Sequence, residues 1–182
     1  MRLLEMIERG EVHVALTGVP IAAGLQSRAL FPIRLLAVAR RPRWKRRRTI
    51  DVEEIATHEP LLLLRRDFGT RQLFDAACRL AHIEPRVVLE SREPHSLISL
   101  AEAGQGVAIV PSTVRFRSAP VQILALVQQG RSLGTWGGVV WDPRRSLPPY
   151  ATGFIDELAA HVPGVFPGKR FERVAPPLPP RE

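Results

Sequence analysis

Cysteine is almost absent from this 182-residue chain. Cys78 is the only one, so no internal disulfide can form, in keeping with a reducing compartment. Lysine is nearly as scarce: only Lys45 and Lys169 occur, and every other basic residue is arginine. That bias reads as codon choice in a GC-rich genome and weakens any argument from the high pI alone. No stretch approaches the ~20 apolar residues needed to cross a bilayer. Residues 1–8 (Met1-Arg2-Leu3-Leu4-Glu5-Met6-Ile7-Glu8) interleave charge with apolar groups at helical spacing, whereas an export signal needs an unbroken apolar stretch followed by small residues. The expectation is a cytoplasmic protein with no membrane partner.

Signatures of catalysis are missing too. The five histidines, His13, His58, His82, His95 and His161, lack the close spacing of a metal motif such as HExxH. There is no GxSxG elbow, P-loop or GxGxxG. Gly104-Gln105-Gly106 closes a helix before a strand, the wrong polarity for holding phosphate. Cys78 lies mid-helix among Phe74, Ala77 and Ala81, which reads as a small buried hydrophobe rather than a nucleophile. The expectation is no enzyme, no metal and no cofactor, with an α/β enzyme kept as a rival.

What is present is a globular composition, 45% hydrophobic and 24% charged, enough for one domain or two small lobes. The net charge of +8 is local. Arg40-Arg41-Pro42-Arg43-Trp44-Lys45-Arg46-Arg47-Arg48 holds seven basic residues and no acid, and without it 19 basic residues face 18 acidic ones. The segment reads as a solvated connection between lobes or as a contact for DNA phosphate. Trp44 alone is thin support for a stacking platform.

Helix and strand patterns alternate along the chain. A helix over 2–9 ends at Gly10, and Val12–Leu16 reads as a buried strand. Two apolar stretches, Ser27–Phe31 and Ile33–Ala39, flank a proline. Asp51 with Glu54 three residues on suggests a capping box. Leu61-Leu62-Leu63-Leu64 suits a strand covered on both faces, and Thr70 is expected to cap the helix that follows. Strand Arg86–Glu90, helix Ser96–Ala103, strands Val107–Val110, Val121–Leu126 and Trp136–Trp141, and a last helix from about Ser146 to His161 with Phe154, Ile155 and Leu158 inward complete the pattern. It predicts an α/β fold with a largely parallel sheet. Prolines at 176, 177, 179 and 180 predict a disordered tail over 163–182.

Three turns at strand ends are candidate sites. Gly69-Thr70 opens a helix whose free amides and macrodipole suit an anion, and Thr70 can either cap the helix or turn its hydroxyl to a ligand. Glu93-Pro94-His95-Ser96 precedes another helix, where His95 or Ser96 could face the same crevice or serve as plain caps. Thr17-Gly18-Val19-Pro20 is the third. Together they could line a small-anion pocket, which needs donors and no nucleophile.

Three stretches resemble LysR-type transcriptional regulators. Glu8-Arg9-Gly10-Glu11-Val12-His13-Val14-Ala15-Leu16 looks like the family's "GELDLAL" strand entry, with His13 where an aspartate is usual. Pro60–Arg65 followed by Phe68-Gly69-Thr70-Arg71 and Phe74 resembles its second-lobe strand and the helix after it. Leu100–Ser112 is similar to its "V-x-A-G-x-G-(I/V)-A-(L/I)-(L/V)-P" signature. The resemblance implies an effector-binding domain with a type II periplasmic-binding-protein-like fold and an interlobe cleft. Lobe one would be 1–41 and 135–162, and lobe two 42–134. Thr17, Gly18, Phe68, Gly69, Thr70, His95, Ser96 and Trp136 would line the cleft. It further implies a bacterial sensor of a small metabolite, by prior an organic anion, that would reach promoter DNA only through a helix-turn-helix domain and would be a homo-oligomer when full length. Against the family pattern, the helix-turn-helix, the linker helix and the first strand and helix of lobe one are missing before Met1. A solute-binding protein of the same fold, serving a transporter, is the closest alternative.

Overall fold

The computed structural model describes residues 2–19, 24–116, 120–166 and 168–171. They fall into two compact units: Met1–Pro32 with Thr135–Phe166, and Ile33–Gly134 with described residues 168–171.

The first unit is a small sheet covered on both faces. Strand β1 (Ala15–Val19) pairs antiparallel with β9 (Gly134–Trp141), which in turn neighbours β2 (Gln26–Ala39). Successive side chains of a strand point to opposite faces, so Val139 and Val140 serve two cores. Val140 joins Ala15, Val19 and Ile7 of helix α1 (Arg2–Arg9), with Trp136 packed against them. Val139 joins Leu30 and Ile155 of helix α5 (Pro149–Val165). Two glycines let these layers close. A Cβ on Gly137 would lie 2.6 Å from the Phe31 ring, and one on Gly138 would lie 2.6 Å from the Arg28 carbonyl oxygen.

In the second unit, β4 (Leu61–Leu64) lies parallel between β6 (Val107–Pro111) and β5 (Val87–Ser91). Strand β2 runs antiparallel to β6 and also to β7 (Gln122–Gln128). β7 pairs parallel with β3 (Thr49–Asp51) and antiparallel with the short β8 (Arg131–Ser132). The four leucines of β4 are all buried and alternate between cores. Leu61 and Leu63 meet Val52, Ile55 and Phe74, from helices α2 (Val52–His58) and α3 (Gly69–Leu80), while Leu62 and Leu64 meet Leu97, Ile98 and Ala101 of α4 (Pro94–Glu102). Fully burying one such side chain contributes about 1.5–3 kcal/mol, so the run holds this unit together through both helical layers.

The glycines between α4 and β6 have separate reasons. Gly104 stands at φ +80°, where the Gly104 amide donates to Ala101 and the Gln105 amide to Leu100, ending the helix. At Gly106 a Cβ would lie 2.7 Å from the Pro60 carbonyl oxygen. A side chain there would push β6 away from the entry to β4.

Several expectations change. The sheet is mixed rather than largely parallel, because β7 follows β6 without an intervening helix and β2 runs against both. Ser27–Phe31 and Ile33–Ala39 form one strand through Pro32, which precedes residues 35–39 that pair with β6 and β7, so its missing N–H removes none of those bonds. For the same reason residues 33–39 group with the second unit rather than with the first 41 residues.

The arginine-rich segment is exposed but anchored, and it lies within the second unit rather than connecting two lobes. Pro42–Trp44 forms a 3-10 turn, and Trp44 is 1% exposed in the core with Ile50 and Ile55. Arg41 and Arg43 both pair with the buried Glu59, and Arg47 makes a bidentate pair with Glu54 at 2.6 and 2.7 Å. That pair displaces Glu54 from the expected capping box. Only the Asp51 half forms, accepting from the Glu53 amide at 2.9 Å. Helix α5 runs on to Val165, with Phe154 turned outward at 48% exposure. Of the expected tail, residues 163–165 belong to this helix and 169–171 to a 3-10 turn; from 172 it lies outside the described residues.

Candidate functional site

Parallel pairing brings two of the three candidate turns together. Leu64 at the end of β4 lies opposite Ser91 at the end of β5, and the Arg65 amide donates to the Ser91 carbonyl at 3.1 Å. The Arg92 guanidinium then meets Asp67 at 2.5 Å. The loops that lead into α3 and α4 therefore lie side by side, with α3 packing on the Leu61 and Leu63 face of the sheet and α4 on the Leu62 and Leu64 face.

The two helix starts differ in chemistry. On α4 the N-cap is Glu93, whose carboxylate accepts from the His95 amide at 3.1 Å. The hydrogen bonds from His95 hold the exposed Glu93 carboxyl below its usual pKa. The His95 ring is occupied as well, with Nδ1 3.1 Å from Glu93 and Nε2 3.2 Å from the Arg115 carbonyl. Ser96 is exposed. This helix start already holds an anion of its own.

On α3 the cap residue is Phe68, which has no hydrogen-bonding side chain. Thr70 is thus the second helical residue and not the cap expected from the sequence; the turn closes one residue earlier because the Phe68 amide bonds the Arg65 carbonyl at 3.0 Å. The first helical bond runs from the Gln72 amide to the Phe68 carbonyl. The amides of residues 69–71 come before it, with no side chain capping them. Gly69 is exposed, and no atom lies within 4 Å of the place its Cβ would take. A backbone with open space, free donors and the positive end of a 12-residue helix suits an anionic or strongly hydrogen-bonding group. Thr70 is half-buried and lines a small crevice with Leu35, Phe74, Ile109 and Val110.

Sequence reasoning missed the residue that fixes this start. Arg71 is 4% exposed. Its Nε donates to Asp75 at 2.8 Å, and its Nη1 donates to Glu90 on β5 and to the Leu64 carbonyl, each at 2.7 Å. Burial opposes its charge, but the two carboxylates outweigh that and hold its pKa above the usual arginine value. The signal was available: Arg71 shares the apolar face of α3 with Phe74, Ala77 and Cys78, an odd place for a cation without partners.

The third turn belongs to the first unit. Thr17 lies opposite Gly138, Gly18 opposite Gly137, and Val19 opposite Trp136. Alternation puts Thr17 and Trp136 on the α1-covered face, both half-buried, and Gly18 on the other face. The Thr135 hydroxyl fastens the strand end by donating to the Val19 carbonyl at 2.8 Å. Pro20 lies outside the described residues.

The described residues contain no group of three or more potential metal ligands and no helix long and apolar enough to cross a membrane. Cys78 is 2% exposed, and burial pushes its thiol up to about 11.

Comparison with known proteins agrees with this architecture. No curated protein matches the chain. The effector-binding domain of QuiR in complex with shikimate is 15% identical, with a TM-score of 0.72 over 91% of this chain and 78% of that one. The regulatory domain of CcmR from Synechocystis PCC6803, in complex with 2-PG, is also 15% identical, with a TM-score of 0.75 over 90% and 80%. Full-length CbnR with its target DNA is 17% identical, with a TM-score of 0.66 over 87% of this chain but only 55% of that protein. These likenesses show the type II periplasmic-binding-protein-like α/β fold. The family described as the LysR substrate binding domain matches residues 1–163, and this chain belongs to that family of effector-binding regulatory domains.

Proposed function

We propose that the domain senses a small organic anion without transforming it, and that the start of α3 supplies the main contacts. The observation that carries this reading is the uncapped first turn at Gly69–Arg71, with open space at Gly69 and a buried Arg71 holding its geometry. Ser96 would supply a hydroxyl from α4. Thr17, Gly18 and Trp136 are the first unit's own candidate contacts. The fold relatives in complex with shikimate and with 2-PG, both anionic at neutral pH, support this ligand class. In a complete regulator such a ligand would bias the equilibrium between two arrangements by binding one more tightly. Promoter DNA would be read by a separate helix-turn-helix domain, in a cytoplasmic homo-oligomer.

The test is thermal-shift screening with small carboxylates and phosphate esters, shikimate and 2-PG included, followed by calorimetric titration of the best compound. Thr70→Val, Ser96→Ala and Gly69→Val are each expected to weaken binding at least tenfold, with Gly69→Val acting by filling the open space. Unchanged affinity in all three would remove the start of α3 from the site. Turnover of the bound compound would overturn the non-enzymatic reading.

A further inference from the structure

The 40–48 segment is left unexplained by effector sensing. We propose that it is a docking surface for the sugar–phosphate backbone of duplex DNA, binding without sequence readout. This goes beyond the sensor reading and stands independently of it, because no residue of the α3 start takes part.

The segment is a built display, not a loose run of charge. Trp44 is buried, the Lys45 amide bonds the Pro42 carbonyl at 3.1 Å, and the Arg47 amide bonds the Trp44 carbonyl at 2.9 Å. The turn is therefore fixed before any partner arrives, which lowers the ordering cost of binding. Two carboxylates meet the seven cations: Glu59 takes Arg41 and Arg43, and Glu54 takes Arg47. Arg40, Lys45, Arg46 and Arg48 are exposed and form no ion pair among the described residues.

Four cations without an ion pair on one nine-residue segment fit a dense polyanion. Guanidinium forks match phosphate oxygens in pairs, and duplex DNA presents a charge about every 1.7 Å of axis. The same residues argue against other polyanions. The one aromatic side chain, Trp44, is buried, so no ring is available to stack an unpaired base. No exposed large apolar side chain lies in the segment to enter a membrane interface.

The experiment is fluorescence anisotropy of the whole chain with a labelled 20-base-pair duplex of arbitrary sequence, from 50 to 200 mM NaCl. Four phosphate contacts give a log–log slope of about −3.6, roughly a 150-fold loss of affinity across that range. The variant Arg40→Ser/Lys45→Ser/Arg46→Ser/Arg48→Ser is expected to bring the slope close to zero. A control with the same change in net charge, Arg79→Ser/Arg86→Ser/Arg115→Ser/Arg131→Ser, is expected to stay within about threefold of the parent. Should the first variant fail to fold by circular dichroism, Arg40→Ser and Arg46→Ser singly are each expected to make the slope shallower by about 0.9. The proposal is overturned by absent binding at 50 mM salt, by equal loss in both fourfold variants or unchanged slopes in the single ones, by strong preference among duplex sequences, or by tighter binding to phosphatidylglycerol vesicles or single strands than to the duplex.

Discussion

Replacing Arg71 with methionine tests how the start of α3 is held. The side chain is 3% exposed and donates three charge-assisted hydrogen bonds, to Asp75, Glu90 and the Leu64 carbonyl. Methionine keeps much of the volume but strands all three acceptors. Removing one partner of a buried pair costs about 3–5 kcal/mol. Here Glu90 is 38% exposed and Asp75 22%, so both can regain water, and the expected loss falls to about 2–3 kcal/mol. In a protein of this size that lowers Tm by roughly 5–10 °C. Arg71→Lys retains the charge without the fork and should lose about half as much. The assay is urea unfolding followed by fluorescence of Trp44, in a Trp136→Phe/Trp141→Phe background, so that the signal reports the second unit alone. A Cm lowered at constant m is the expected result. A change below about 0.5 kcal/mol for Arg71→Met would show that the network is solvated and that α3 is positioned by packing alone.

Other outcomes follow from single contacts. Gly106→Ala forces a Cβ to 2.7 Å from the Pro60 carbonyl and should cost about 1–3 kcal/mol in urea unfolding; full stability would mean the strand entry yields freely. Cys78, with its thiol pushed up to about 11 and 2% exposure, should react with iodoacetamide at pH 8 far more slowly than free cysteine until denaturant is added. Stoichiometric labelling of the native chain within minutes would contradict its burial. The hydrogen bond from Arg47 holds the Glu54 carboxyl below its usual pKa. Its contribution to stability is therefore present above the unfolded value and lost as pH falls through the lower folded one. Tm should rise with pH from 3 to 6 less in Glu54→Gln than in the parent, and identical profiles would show the pair to be too exposed to matter.

Much of the second unit was legible because its signals are local and mutually consistent. Four successive leucines can only be buried on both faces, and a glycine after an apolar helix stops it. These readings need no knowledge of distant residues. The errors came where a distant partner decided the outcome. Glu54 left its capping box because Arg47 offers a bidentate, charge-assisted pair. The arginine run was read as a loose connection because Glu59, 16 residues beyond Arg43, gave no hint that it would be buried and anchor the run. The parallel sheet was overestimated because alternating elements reveal neighbours in sequence, whereas β2 pairs across the chain with β6 and β7.

The candidate site shows the same division at the scale of one turn. Thr70 drew attention as a hydroxyl residue after a glycine, which is the sequence pattern of a cap. The structure gives the cap to Phe68, and that changes the chemistry. A threonine cap would have satisfied one of the first-turn amides from within, as Glu93 does on α4. A phenylalanine cannot, so the donors of residues 69–71 stay available while Phe68 packs with the α4-side core. Supplying the missing acceptor should close the start of α3 to outside anions. Phe68→Asp is expected to abolish binding of whichever carboxylate or phosphate ester the calorimetric screen selects, while costing stability through the lost aromatic packing. Retained affinity in that variant would show that the amides of residues 69–71 are not the donors that hold the ligand.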